Sequence, residues 1–225
     1  MRVVAFATIK MNSQRVPYKN IRILGTRPLC YHTLNTALQI TGIDEVIAYC
    51  SDEEIQRYIP SAVRFVKREK WLDADSVQAQ DVYTAFINDV DADIYVSLLT
   101  TAPFIKVNTM AHALNEVVSG EYDSAFCVKR MQTFAWYKGE PLNYDPQAIP
   151  RTQDLEPVFL ETSGFFIFTK ELWLREGRRI GHKPLVQELD DIESIDIDTP
   201  TDFEFAKLVA SHMLHWEDGR HDDDK

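Results

Sequence analysis

Three cationic side chains are closely spaced in one loop near the start of the chain. Lys10, Arg15 and Lys19 stand among asparagine, serine and glutamine in the stretch FATIKMNSQRVPYKN, residues 6–20. Long cationic side chains and backbone N–H groups that follow a strand can surround a polyphosphate. The stretch lacks the glycine patterns of a P-loop and of a dinucleotide-binding fold. The loop therefore indicates an anion site of another kind, and a solvated surface loop is the alternative.

A pair of carboxylates occurs in the stretch SIDIDTPTDF near the end of the chain. If residues 192–198 form a strand, Asp196 and Asp198 face the same side of it, because side chains alternate along a strand. Two converging carboxylates supply the hard oxygen ligands that Mg²⁺ prefers. The alternative is that one of them only caps the next helix, whose first turn we expect to contain Asp202.

The stretch KREKWLDADS places Arg68 after a predicted strand and Asp75 at a predicted helix start. An arginine in this position can contact a base or a phosphate, although a surface ion pair is the more frequent outcome. This motif by itself does not distinguish a ligand-binding arginine from a surface ion pair.

Composition limits the classes of function. The formal net charge of −11 argues against nonspecific nucleic-acid binding, which needs a basic face. The chain has no apolar run long enough for a signal peptide or a membrane span, so we expect a soluble cytoplasmic protein without a membrane partner. Its three cysteines are widely spaced in apolar surroundings, which predicts buried free thiols.

Strand and helix patterns alternate over the first 130 residues. RVVAFATI is a buried strand, Pro28 begins a helix, SDEEIQRYI is a helix capped by Ser51, and residues 78–89 form another helix. This alternation predicts an α/β fold with a mostly parallel sheet that is covered on both faces. Ligands bind at the carboxyl ends of the strands in such folds, and the cationic loop follows the first strand.

The pattern changes after about residue 130. Residues 130–157 are rich in proline and aromatic residues and predict an extended arm, which covers a site or a partner subunit. We expect a single domain over residues 1–216, including this arm, followed by a disordered tail over 217–225.

Taken together and in this order, the motifs resemble the CMP-N-acetylneuraminate synthetase family of cytidylyltransferases. That family opens with a strand and an Arg-x-x-Ser-x-Arg-x-x-x-Lys-Asn loop, and it continues with Gly-x-Pro-Leu, a stretch containing Arg, Leu and Asp, and an Asp-Ile-Asp-Thr metal segment. The resemblance covers nearly the whole chain. The matching residues are Ser13, Arg15, Lys19, Asn20, Gly25, Pro28, Leu29, Arg68, Leu72, Asp75, Asp196 and Asp198, and Lys10 stands where the family usually has arginine.

The resemblance implies a Rossmann-like, three-layer nucleotidyltransferase fold with a dimerisation arm, and therefore a homodimer. It implies that CMP is transferred from CTP to an acidic sugar-like acceptor with release of pyrophosphate, for surface-glycan synthesis. Lys10, Arg15 and Lys19 would act on the triphosphate in catalysis, and Asp196 and Asp198 would hold Mg²⁺. The same resemblance assigns Ser13, Asn20 and Arg68 to nucleotide binding and Arg151 to the anionic group of the acceptor.

Departures from the family pattern leave the acceptor open. In SLLTTAPFI, Leu99 replaces a glutamine, Thr100 a proline and Ile105 an arginine of the family's sequence. A non-sugar phosphonate, a phosphorylated acceptor and an inactive nucleotide-binding relative remain alternatives. A nucleotide-sugar glycosyltransferase is disfavoured, because its usual Asp-x-Asp is missing from this stretch.

Overall fold

The structure is a computed structural model that describes residues 1–213 of the chain. Within these residues, helices cover both faces of a central sheet. The predicted tail and the last residues of the predicted domain lie outside these residues. The strands are β1 (Val3–Ile9), β2 (Ile23–Leu24), β3 (Arg27–Pro28), β4 (Glu45–Cys50), β5 (Arg64–Lys67), β6 (Ile94–Leu98), β7 (Ser124–Met131), β8 (Trp136–Tyr137), β9 (Glu140–Pro141), β10 (Val158–Thr169) and β11 (Pro184–Leu189). The helices are α1 (Leu29–Leu38), α2 (Ala79–Asp89), α3 (Val107–Val118), α4 (Lys170–Glu176) and α5 (Pro200–His212).

Seven strands form the central sheet in the order β11-β7-β10-β6-β1-β4-β5. Strand β10 is antiparallel to both of its neighbours, whereas every other adjacent pair is parallel. The mostly parallel α/β sheet predicted from the sequence is thus confirmed. Because β1 is central, the loop that follows it lies at the carboxyl edge between β4 and β6.

Apolar side chains cover both faces of this sheet. On one face, residues of α1 and α3 pack against alternate residues of β1, such as Ala5 and Ala7. On the other face, α2 and α4 pack against Val4 and Phe6, and the ring of Phe6 stacks on Phe86 of α2. A third cluster joins α5 to the start of α1. The three-layer arrangement follows from this burial of both sheet faces.

Strand β10 has an irregular register next to the candidate site. Its pairing with β7 shifts between Glu161 and Phe166, and Gly164 lies inside this bulge. The carbonyl oxygen of Gly164 accepts a hydrogen bond of 3.0 Å from the backbone of Leu99, which follows β6. A Cβ atom on Gly164 would lie 2.9 Å from the Cys127 sulfur, so only glycine allows this close approach.

Two predictions from the sequence are wrong in detail. Residues 53–57 form a short 3-10 helix rather than an α-helix, and Asp52 caps it in place of Ser51. Residues 192–198 are not a strand, because a turn after β11 uses the Asp190 carboxylate to bind the backbone N–H groups of Ile192 and Glu193. One of the two edge strands of the sheet is β11, which sequence reasoning missed.

The predicted arm contains the end of β7, the small hairpin β8–β9 and a 3-10 helix at Thr152–Asp154. Several of its large apolar side chains are solvent-exposed, including Trp136 (60%), Tyr137 (61%) and Ile149 (69%). Apart from the 3-10 helix, the arm consists of short strands, turns and irregular structure, and its role as a dimerisation arm stays a prediction. Within residues 1–213, no helix has the length and apolar character needed to cross a membrane.

Candidate active site

The cationic loop is held together by a buried asparagine. Asn20 is 6% exposed, and its amide donates to the Lys10 carbonyl oxygen at 2.8 Å. The Asn20 side-chain oxygen accepts a hydrogen bond of 2.7 Å from the Thr100 hydroxyl, which follows β6. Asn20 therefore closes the loop on itself and ties it to the carboxyl end of a neighbouring strand.

Two of the three loop cations meet one of the predicted metal ligands. The Arg15 guanidinium lies 2.8 Å from Asp198 Oδ1, and the Lys19 ammonium lies 3.5 Å from the same atom. Lys19 also donates to the Ile197 carbonyl oxygen at 2.7 Å. Residues 178 or more positions apart are thus brought together at one edge of the sheet.

The third cation points toward a different group. Lys10 donates to the backbone oxygen of Asp73 at 3.0 Å. The Asp73 carboxylate accepts hydrogen bonds from Arg68 and from the Ser51 hydroxyl. Sequence reasoning missed Asp73, which lies two residues before the Asp75 it singled out.

Arg68 lies beneath the loop rather than on the surface. Its side chain is 1% exposed, and it donates to the carbonyl oxygens of Ile9 and Tyr49 at the ends of β1 and β4. A buried guanidinium needs such partners, and Asp73 supplies the balancing charge. Arg68 therefore joins two strand ends to the segment before α2, and Asp75 precedes that helix by four residues instead of starting it.

Asp196 sits beside the bulge of β10. One of its carboxylate oxygens accepts a hydrogen bond of 2.9 Å from the Ser163 hydroxyl. The other, Oδ1, is buried and has no hydrogen-bond partner among the described residues. A buried carboxylate oxygen without a donor is unfavourable unless a cation or a ligand satisfies it.

The start of α5 positions Asp198. As predicted, Asp202 lies in the first turn, where its carboxylate accepts the backbone N–H groups of Asp198 and Thr199 at 3.0 and 2.7 Å. The Thr199 hydroxyl completes a capping box. Burial would raise the pKa of Asp202, but the hydrogen bonds from Thr199 and Asp198 outweigh it and hold that pKa below its usual value.

Two other predicted residues have different surroundings. Ser13 lies half-buried in the middle of the loop. Arg151 is in the arm, 74% exposed, and its guanidinium binds Asp154 at 2.7 and 3.1 Å. In the part of the chain that is described, Arg151 makes no ion pair with the two aspartates of the site.

A cavity of about 800 Å³ opens on the loop. This volume is within the usual range for small-molecule sites. Its walls come from the loop, from the segment after β4 and from the segment before α2. The charged residues among them are Lys10, Asp52, Glu53, Lys67, Lys70, Asp73 and Asp75.

The positions that depart from the family pattern now have physical roles. Thr100 binds Asn20, as described above, whereas Ile105 is 2% exposed and belongs to the core. Leu99 packs against the apolar cluster under α2. After β6, apolar side chains at Leu99 and Ile105 therefore stand where the family pattern has polar ones, and both pack in apolar clusters.

Comparison with known proteins shows which fold and family this architecture matches. The fold resembles that of a CMP:2-keto-3-deoxy-manno-octonic acid synthetase whose structure was solved with CTP, with a TM-score of 0.69. The sequence identity is 16%, and the match covers 95% of this chain and all of that one. This defines a nucleotidyltransferase fold. The family profile described as cytidylyltransferase matches residues 9–220, so the chain belongs to the cytidylyltransferase family.

Individual relatives are closer in sequence than that solved structure, and they share about a quarter of their residues with the chain. The chain is 26% identical to N-acylneuraminate cytidylyltransferase A of Danio rerio over 91% of its length, and it spans about half the length of that relative. It is 27% identical to CMP-N,N'-diacetyllegionaminic acid synthase of Legionella pneumophila, with 93% of this chain and 96% of that protein covered.

Proposed function

We propose that this chain transfers CMP from CTP to an acidic, sugar-like acceptor and releases pyrophosphate. The observation that carries the proposal is the meeting of Arg15 and Lys19 with Asp198 at the carboxyl end of β1, in a chain of the cytidylyltransferase family. The named relatives act on, or are named for, acidic sugars. An acidic acceptor for this chain follows by analogy with them.

The loop residues would bind and orient the triphosphate. Arg15 and Lys19 would exchange Asp198 for phosphate oxygens, because a polyphosphate carries more charge than one carboxylate. Lys10 is held at the other side of the loop by the Asp73 carbonyl oxygen. Cations fixed in this way stabilise the charge that develops on the leaving pyrophosphate.

Asp196 and Asp198 are the residues that would hold Mg²⁺. The buried, partnerless Oδ1 atom of Asp196 fits a cation. The described residues contain no cluster of three or more metal-binding side chains, and Mg²⁺ characteristically uses one or two carboxylates together with substrate phosphates. When bound, the ion supplies charge neutralisation at the reacting phosphate.

The acceptor is the less specified half of the reaction. Leu99 and Ile105 provide no polar group to a sugar hydroxyl, since both pack in apolar clusters. Arg151 stays our candidate for the acceptor's anionic group, which would have to displace Asp154.

We further propose a cytoplasmic homodimer that pairs through the arm. Exposed apolar patches of this kind usually mark interfaces. Light scattering at micromolar concentration should give a dimer mass, and replacing Trp136 and Tyr137 by serine should shift it to that of a monomer. A wild-type monomer would remove this part of the proposal.

Matched arginine variants test the nucleotide site. Arg15→Gln should lower CTP-dependent pyrophosphate release by about 100-fold, since it removes a positioned cation from the phosphates. Arg64→Gln is the control, because Arg64 pairs with Glu45 on the surface of β5. Equal rates for the two variants would refute the assignment of the loop.

A further inference from the structure

Asp73 is one of four acidic residues in the cavity that opens on the cationic loop. It is the last residue of the 3-10 helix Lys70–Asp73, it lines the 800 Å³ cavity, and its side chain is 29% exposed. A carboxylate repels a triphosphate at close range. Its presence in this cavity therefore needs a role other than phosphate binding.

The Asp73 carboxylate is fixed from two sides. Arg68 donates to Oδ1, and the Ser51 hydroxyl donates to Oδ2. Arg68 is itself immobilised by the carbonyl oxygens of Ile9 and Tyr49. Each carboxylate oxygen can accept two hydrogen bonds, so one position on each remains for a ligand. The carboxylate is thus a rigid acceptor that faces the cavity.

Charges divide the site into two ends. Arg15 and Lys19 lie at Asp198, where the triphosphate would bind. Beyond Lys10, the cavity is lined by four carboxylates and two further lysines, and one of these lysines, Lys67, is paired with Glu53. The end near Asp73 therefore suits the part of a nucleotide that donates hydrogen bonds.

From this arrangement we infer that Asp73 recognises the 4-amino group of cytosine and thereby selects CTP over UTP. Aspartate accepts a hydrogen bond from this amino group, whereas uracil carries an acceptor oxygen at the same position. A fixed acceptor that faces another acceptor leaves both unsatisfied, which gives strong discrimination. The inference rests on the proposed function, since it assigns the base end of the same nucleotide site.

The first experiment leaves the protein unchanged. Wild-type kcat/KM is measured by pyrophosphate release with CTP, with UTP and with pyrimidin-2-one riboside triphosphate, which lacks only the 4-amino group. Loss of a hydrogen bond to a charged group predicts a decrease of about 10- to 100-fold for the analogue. Equal kcat/KM for the analogue and CTP would overturn the inference, whatever any variant does.

The second experiment replaces the acceptor. Asp73→Asn offers an amide that can donate to O4 of uracil, so the ratio of kcat/KM for CTP to that for UTP should fall at least about 10-fold. Asp75→Asn is the matched control, because Asp75 lines the same cavity but accepts the Gln14 amide at 2.6 Å. The control should keep the wild-type ratio.

The outcomes separate a specific role from a structural one. If Asp73 only supports Arg68, Asp73→Asn lowers both kcat/KM values equally and leaves their ratio unchanged, which overturns the inference but not the proposed function. If wild-type protein releases no pyrophosphate with any nucleotide, the proposed function fails first.

Discussion

Replacing Asp198 by asparagine should affect CTP binding and turnover in opposite directions. Asp198 now neutralises Arg15 at 2.8 Å and Lys19 at 3.5 Å, so it competes with phosphate oxygens for both cations. The same carboxylate is a proposed metal ligand. Without divalent cations the variant should therefore bind CTP more tightly, whereas its turnover with Mg²⁺ should be lost.

The size of the binding effect follows from the exposure of the groups. The side chains of Arg15 and Asp198 are 66% and 41% exposed, so each ion pair contributes about 0.2–1 kcal/mol. Two such pairs amount to about 0.4–2 kcal/mol, which is a roughly 2- to 30-fold decrease in Kd. Turnover should fall by at least about 100-fold, because a metal contributes several kcal/mol to the transition state.

Isothermal titration of CTP in EDTA measures the first quantity, and pyrophosphate release with Mg²⁺ measures the second. Asp191→Asn is the control, since Asp191 is 90% exposed and pairs with Lys129 away from the loop. Weaker CTP binding by Asp198→Asn in EDTA would refute the competition, and unchanged turnover would refute the metal assignment.

Three further predictions concern stability and reactivity. Gly164→Ala should lower the free energy of unfolding, measured in urea, by about 1–3 kcal/mol, because the added methyl group clashes with Cys127. Adding Cys127→Ala should restore part of this free energy, and additive effects of the two substitutions would count against this packing. Asp202→Asn should cost about 0.5–1 kcal/mol at pH 7. The folded-state pKa of Asp202 lies below the ordinary aspartate pKa, so its stabilising contribution is complete above about pH 4 and is lost as the pH falls through the folded pKa. A difference in stability that does not decrease below about pH 4 would contradict the assignment. Burial raises the pKa of the Cys30 and Cys127 thiols to about 12, so a disulfide reagent at pH 8 should label them only after unfolding, and rapid labelling of the native protein would disprove their burial.

Local patterns were sufficient to predict much of the fold. The β-branched run of β1 and the helical spacing after Pro28 were read correctly, and so was the first-turn position of Asp202. Each depends on neighbours within a few residues. The alternation of isoleucine and acidic residues over 192–198 was misleading, because a turn followed by a loop with a buried Ile197 can show the same alternation as a strand.

Contacts between distant segments could not be read from the sequence. Lys10 and Asp73 are 63 positions apart, and Ser163 and Asp196 are 33 apart. The antiparallel orientation of β10, which brings its bulge next to Asp196, is likewise a property of the assembled sheet. For this reason sequence reasoning found the loop cations and the two aspartates but missed Asp73 and Ser163.

A single set of reactions with the wild-type protein tests whether the chain transfers CMP to an acidic acceptor. CTP and Mg²⁺ are incubated with individual acidic sugars, among them nonulosonic and octulosonic acids, and with small phosphonates, and mass spectrometry detects any CMP-linked product. We expect one such product from an acidic sugar, formed in equal amount to the pyrophosphate released and absent without CTP. Tight binding of CTP with no CMP-linked product from any of these acceptors would contradict this expectation.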